Sequence, residues 1–120
     1  MLVRSGQPSF LNVGGIPLGL FPDSTYEEMS LPLQTGDVLV FYSDGVIEMR
    51  NGEGEEFGLK RLAETVRINH EKAPDEIVKS VSAALKEFIG RVRPHDDRTM
   101  VVVKMGDEPG FESAGLKAGI

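Results

Sequence analysis

Two acidic turns hold the residues whose types and spacing could do chemistry. Asp44 and Gly45 end one apolar run, and Asp96 and Asp97 stand just before another. Asp and Gly are the residues that tight turns select, so turn chemistry alone is one interpretation of both sites. The other interpretation is that the carboxylates are held on rigid strand ends in order to bind a metal ion.

The metal interpretation depends on which strands are neighbours. If the runs 38–42 and 99–103 form adjacent antiparallel strands, the end of one lies beside the start of the other. The carboxylates then meet at one edge of the sheet, where they raise one another's pKa values unless a cation lies between them. Mg²⁺ and Mn²⁺ favour such oxygen ligands. A pair of these ions about 4 Å apart can deprotonate a water and stabilise an in-line phosphoryl displacement.

Hydrophobic periodicity predicts the elements that position these turns. The run 38–42 is nearly all apolar and predicts a strand covered on both faces, while the β-branched run 99–104 predicts another strand. A helical period predicts a helix over about 58–69, with apolar positions Leu59, Leu62, Ala63 and Val66. A second helix opens at Pro74 and stops near Gly90. Its buried stripe is predicted to be Ile77, Val81, Ala84, Leu85 and Phe88.

The remaining segments complete the predicted fold. Residues 1–4 and 9–13 predict a hairpin with the short polar loop 5–8, and Pro32 demotes 26–33 to an edge strand. Strands that enclose two adjacent amphipathic helices predict the α+β class. We therefore expect an antiparallel β-sheet with a pair of antiparallel helices packed on one face.

Residues 1–105 are predicted to form the folded domain. From Gly106 onward little can pack, so 106–120 is predicted to be a Gly-rich tail or linker.

Composition excludes several classes of function. The net charge is −6 and no cluster of Lys or Arg stands out, so neither nucleic acid nor a membrane surface is expected as a partner. An acidic balance suits a site that collects divalent cations, although solubility explains it equally well. The absence of cysteine excludes disulfides, zinc-thiolate sites and thiol nucleophiles. No apolar run has the length of a membrane span, so we expect a cytoplasmic protein.

Three strings occur in a specific order: "GGIPLGLF", "LQTGDVLVFYSDGVIEMRNGEGEEFGLKRL" and "DDRTMVVVK". Together they resemble the metal-dependent protein phosphatases of the type-2C (PPM) class, in the bacterial branch of SpoIIE and RsbU. The resemblance extends from Gly15 to about Lys104. It implies part of a PPM-type α/β sandwich, and a hydrolase that acts in bacterial signal transduction.

The resemblance also implies roles for the acidic turns. Asp44 and Asp96 correspond to catalytic carboxylates that bind the metals, and Gly45 corresponds to the residue that allows the tight turn beside them. Asp97 occupies a neighbouring position and is expected to be a weaker or water-mediated metal ligand. Members of the class hydrolyse phosphoserine or phosphothreonine with a water activated by two Mg²⁺ or Mn²⁺ ions. In this branch the partners are phosphorylated regulatory proteins of the anti-sigma-factor antagonist type.

The family pattern contains an earlier Gly-Asp-x-x-x-Asp motif, which is absent from these 120 residues. Asp23 and Asp37 lie in turns of a different context and do not replace it. We therefore expect the C-terminal part of a phosphatase domain, which is inactive alone and binds metal weakly. The alternative is a non-catalytic interaction or regulatory module derived from the same fold. An incomplete sheet also exposes an unpaired edge, so a homodimer or larger assembly is expected.

Other polar residues have simpler interpretations. Asp37 is expected to be a turn residue, and Glu48 an outward, solvated carboxylate. The run Glu53, Glu55 and Glu56 is expected to be a solvated loop and lacks the ligand spacing of an EF-hand. His95 is either a proton donor to the leaving group or incidental. Thr99 is either an ordinary strand residue or a hydrogen-bond partner of Asp96.

Overall fold

Five strands form one antiparallel sheet in the order β2-β1-β3-β4-β5. The structure is a computed structural model and describes residues 1–11, 30–92, 98–106 and 111–116. The strands are β1 (Leu2–Arg4), β2 (Gln7–Ser9), β3 (Val38–Tyr42), β4 (Met100–Met105) and β5 (Phe111–Leu116). The helices are α1 (Asp44–Ile47), α2 (Gly58–Asn69) and α3 (Pro74–Ile89). The predicted α+β fold is confirmed.

The register of β3 and β4 bears directly on the acidic turns. The two strands pair antiparallel from Val38 opposite Lys104 to Tyr42 opposite Met100. The end of β3 therefore lies beside the start of β4, which is the pairing that the metal interpretation requires. β4 begins one residue later than the predicted strand 99–104 and includes Met105.

The hairpin β1–β2 is tighter than predicted. Arg4 pairs with Gln7, so the turn contains only Ser5 and Gly6, whose φ angles are 51° and 74°. Positive φ at both central residues belongs to the type I′ turn, which matches the twist of a two-stranded hairpin. The predicted strand at 9–13 is instead β2, which begins at Gln7, and positions 12 and 13 lie outside the described residues.

The predicted edge strand at 26–33 is not seen where the structure describes that segment. Residues 30–33 have no regular secondary structure, and 26–29 lie outside the described residues. Arg4 Nη2 donates a hydrogen bond to the Pro32 carbonyl at 3.0 Å, so the segment is attached to β1 by a side chain rather than by a strand ladder.

Both long helices have the predicted bounds. Proline and two acidic residues occupy the first turn of α3, and Gly90 ends it with φ 59°. The connection between α2 and α3 is four residues long, and the helices pack against each other as an antiparallel pair. Lys104, near the end of β4, donates hydrogen bonds of 3.0 Å to the carbonyls of Glu71 and Lys72 in that connection. The helical layer is thus attached to the sheet by a side chain as well as by apolar packing.

The core lies between the helices and one face of the sheet. Alternate strand residues point into it: Val38, Val40, Met100 and Val102 are each at most 2% exposed. The helices contribute Leu62, Val66, Ile77, Val81 and Leu85 to the same cluster. Ala84 and Phe88 are only half-buried against it, and the predicted core residue Leu59 is 36% exposed. Phe57, just before α2, is buried although periodicity did not assign it to the core.

The opposite face of the sheet corrects a prediction. β3 was expected to be covered on both faces, but Phe41 is 59% exposed and its cross-strand neighbour Val101 is 38% exposed. The residues of β3 are nearly all apolar, yet only every second side chain faces the helices, because side chains alternate along a strand. This face is therefore open at Phe41 and Val101, whereas Leu2, which lies opposite Leu39 on the same face, is only 4% exposed.

Part of the predicted tail is a strand. β5 pairs with β4 along its length, from Met100 opposite Leu116 to Met105 opposite Phe111, so this segment is not an irregular tail. The domain boundary near residue 105 stays a prediction. A search of the described residues finds no helix long and apolar enough to cross a membrane.

Candidate functional site

The first acidic turn is the junction between β3 and α1. Ser43 precedes the four-residue helix α1, and Asp44 is its first residue. The Asp44 carboxylate is exposed, and no hydrogen bond or ion pair joins it to another residue in the described part of the chain. Burial, and secondly the charge of Asp44, raise the pKa of Tyr42. Asp44 is therefore an available carboxylate held two residues beyond the end of β3.

Gly45 has a different conformation from the one expected. It lies within α1, and its φ is not in the left-handed region. The predicted tight turn is thus a short helical turn, in which Glu48 N donates to the Asp44 carbonyl at 2.9 Å. Glu48 itself is exposed, as predicted.

Ser43 and Thr99 join this junction to the second acidic turn. Ser43 N donates to the Thr99 carbonyl at 2.9 Å, and Thr99 N donates to Ser43 Oγ at 2.9 Å. Thr99 follows Asp97 by two positions in the sequence. The contact extends the β3–β4 ladder by one step beyond Tyr42 and Met100. Thr99 accordingly bonds to Ser43, and its predicted bond to Asp96 involves a position outside the described residues.

The second acidic turn itself lies outside the described residues. This applies to His95, Asp96 and Asp97, so their predicted roles stay predictions. Within the described ranges, no group of three or more His, Cys, Asp or Glu side chains could hold a metal ion. Of the predicted site, the structure describes Asp44 and Gly45.

Asp37 has a structural role at the other end of β3. Asp37 is 1% exposed, and its carboxylate accepts hydrogen bonds from Arg4 Nε at 3.0 Å, Arg4 Nη2 at 2.6 Å and Gln34 N at 2.8 Å. The Arg4 hydrogen bonds hold the pKa of Asp37 below its usual range against the opposing effect of burial. The bond from Gln34 N closes the turn before β3, which agrees with the predicted turn role.

Asn51 organises the acidic loop after α1 in a way that the sequence prediction missed. Its Oδ1 atom accepts hydrogen bonds of 3.0 Å from both Glu53 N and Glu55 N. Glu53, Glu55 and Glu56 are exposed as predicted, and the latter two make long surface ion pairs with Arg61 and Arg50. An Asn followed by a Gly and several acidic residues was the available signal, because Asn side chains often bond backbone amides two residues further on.

Comparisons with known proteins show the family of the chain. The family model described as Stage II sporulation protein E (SpoIIE) matches residues 1–106. Protein IcfG of Synechocystis sp. is 36% identical over 89 residues, which cover 74% of this chain and 14% of that protein. Phosphoserine phosphatase RsbU of Bacillus subtilis is 32% identical over 96 residues, 78% of this chain and 28% of that protein.

Stage II sporulation protein E of Bacillus subtilis is 29% identical over 106 residues, which cover 85% of this chain and 12% of that protein. The chain thus spans less than a third of the length of each of these relatives. No solved structure matches the chain.

Proposed function

Because the chain belongs to the Stage II sporulation protein E (SpoIIE) family, we propose that it is the C-terminal part of a metal-dependent protein serine/threonine phosphatase domain. Its substrate class is a phosphorylated regulatory protein of the anti-sigma-factor antagonist type. The similarity to a phosphoserine phosphatase supports the reaction class. The chain alone is proposed to be inactive, since the family's earlier Gly-Asp-x-x-x-Asp motif is not among its residues.

One observation carries the site assignment: the paired hydrogen bonds between Ser43 and Thr99. They join the residue before Asp44 to a residue that follows Asp97 closely in the sequence. Asp44 supports the assignment further, because its carboxylate is exposed and unpaired among the described residues. A carboxylate that had a structural role would be bonded in the manner of Asp37.

We assign roles to the acidic residues on this basis. Asp44 and Asp96 are the carboxylates that hold Mg²⁺ or Mn²⁺, and Asp97 is an outer or water-mediated ligand. Gly45 forms part of the helical turn beside Asp44. When bound, two such ions supply an activated water and stabilise the charge of an in-line displacement at phosphorus. The chain's own part is to hold the carboxylates next to the end of β3 and the start of β4.

The test is Mn²⁺-dependent hydrolysis of a phosphoserine protein. Three forms are compared: this chain, an N-terminally extended version, and the extended version with Asp44→Asn. We expect activity in the extended version and a loss of about a hundredfold or more with Asp44→Asn, because metal stabilisation contributes several kcal/mol to the transition state. Glu48→Gln is the matched control, since it neutralises an exposed carboxylate at the other end of α1. It should leave the rate unchanged.

Two outcomes would contradict the proposal. Activity that is indifferent to Asp44→Asn would exclude Asp44 as a metal ligand. An inactive extended version that binds a partner protein tightly would favour the non-catalytic module instead.

A further inference from the structure

Ser43 has an unusual set of hydrogen bonds for a residue at the start of a helix. A serine in this position normally turns its hydroxyl toward the amides of the first helical turn. Here the hydroxyl makes no such cap and accepts a hydrogen bond from Thr99 N at 2.9 Å. The side chain is therefore directed toward β4 rather than toward its own helix.

The backbone of Ser43 explains this choice. Its carbonyl accepts a hydrogen bond from Val46 N at 3.0 Å, which starts the helical turn that carries Asp44. In a continuing antiparallel ladder, that carbonyl would instead accept the Thr99 amide. The chain leaves the sheet at Ser43, and the hydroxyl replaces the carbonyl as the acceptor for Thr99. Ser43 N still donates to the Thr99 carbonyl, so both bonds of the pair are kept.

We infer that Ser43 is a positioning residue, whose hydroxyl keeps the start of β4 attached to the end of β3 while the chain turns to present Asp44. This inference rests on the proposed function, because positioning matters only if the two acidic turns act on one metal centre. Without the hydroxyl, the Thr99 amide loses this acceptor and the segment before β4 is attached by one bond instead of two. Thr99 is exposed, so water can satisfy the amide and the fold is retained.

The experiment uses Ser43→Ala and Ser43→Thr in this chain. Ser80→Ala is a matched control, because Ser80 Oγ also makes one hydrogen bond, to the Glu76 carbonyl within α3. Hydrogen exchange of the Thr99 amide, measured by NMR, directly tests its hydrogen bond to Ser43 Oγ. We expect exchange about tenfold faster in Ser43→Ala, from the loss of one hydrogen bond, and unchanged exchange in Ser80→Ala. Ser43→Thr retains a hydroxyl and should keep the slow exchange. Equal exchange in Ser43→Ala and wild type would overturn the inference.

Mn²⁺ binding, measured by calorimetric titration, tests the functional part. The same substitutions and Asp44→Asn are made for this purpose in the N-terminally extended version, because this chain alone is expected to bind metal weakly. We expect Ser43→Ala to bind Mn²⁺ about tenfold more weakly than wild type and Ser43→Thr to restore binding. If Asp44→Asn abolishes binding while Ser43→Ala leaves it unchanged, the inference is wrong and the proposed site stands. If wild type and Asp44→Asn are indistinguishable, the proposed site is wrong and the inference falls with it.

Discussion

The Asp37 carboxylate shows how one residue can connect distant parts of the chain. The carboxylate bonds to Arg4 of β1 and to Gln34 in the turn before β3. The backbone carbonyl of Asp37 accepts a hydrogen bond from Met105 N of β4 at 2.9 Å. The sequence predicted its turn position, since Gly36-Asp37 precedes an apolar run. It could not predict burial or the bond to Arg4, because nothing local to Asp37 specifies a partner far away in the sequence.

Asp37→Asn should destabilise the fold and change its response to acid. The substitution keeps the shape but removes the charge that Arg4 bonds, so we expect a loss of about 1–3 kcal/mol at pH 7. The folded pKa of Asp37 lies below its unfolded value. The stabilisation is therefore fully present above the unfolded pKa, about 3.9, and is lost as pH falls through the folded pKa.

Urea unfolding across the acid range measures both effects. The wild-type free energy of unfolding should fall more steeply than that of Asp37→Asn as the pH falls through this region. Asp75→Asn is the control, since Asp75 makes only a long, exposed ion pair with Lys79 at 3.9 Å. Equal losses of stability from the two variants would contradict the role given to Asp37.

At the scale of elements, the two long helices were predictable and the coverage of the sheet was not. The bounds of α2 and α3 follow from the helical period, Pro74 and Gly90, all of which are local signals. β5 was missed because its sequence FESAGL lacks the alternation of a half-buried strand. The exposure of Phe41 was missed because an apolar residue in a strand does not show whether anything packs on the face opposite the helices.

Val101 and Val102 test the two faces with one chemical change. They are neighbours on β4, and they are 38% and 0% exposed. Val102→Ala should cost about 2 kcal/mol of unfolding free energy, because it opens a cavity in the core. Val101→Ala should lower the free energy of unfolding by less than about 1 kcal/mol, because its side chain lies outside the core. Both substitutions lose the same strand propensity, so this term cancels in the comparison. Denaturant unfolding of both variants measures the difference, and equal losses would mean that the outer face is covered.

At the scale of the whole molecule, the two edge strands of the described sheet, β2 and β5, differ in length and composition. Of the strands that the structure describes, β2 ends the sheet with three residues, one of them Pro8, which has no N–H to donate. β5 ends the other side with six residues. Short edges that contain proline resist pairing, whereas longer ones invite it. The sequence predicted an unpaired edge but could not assign it, because β5 was not foreseen.

We therefore expect the chain to self-associate through a sheet edge. Sedimentation velocity from low micromolar to submillimolar concentration should show a mass that rises toward a dimer or larger assembly. Phe41→Lys separates the edge from the open face: it places a charge on the face and leaves the edges intact. Self-association that disappears in this variant would assign the contact to the face. A constant monomer mass in the wild type would refute the prediction altogether.

Because Lys104 is hydrogen-bonded to the connection between α2 and α3, its chemical reactivity should report how firmly the helical layer is attached to the sheet. An ammonium group that donates to two carbonyls must detach and lose a proton before it can act as a nucleophile. Acylating reagents should therefore modify Lys104 at a rate reduced by the fraction of time that its ammonium group is detached from the connection between α2 and α3. Lys79, whose side chain is 79% exposed, should instead react at the rate of an accessible lysine. The ratio of the two rates gives the opening equilibrium of that connection.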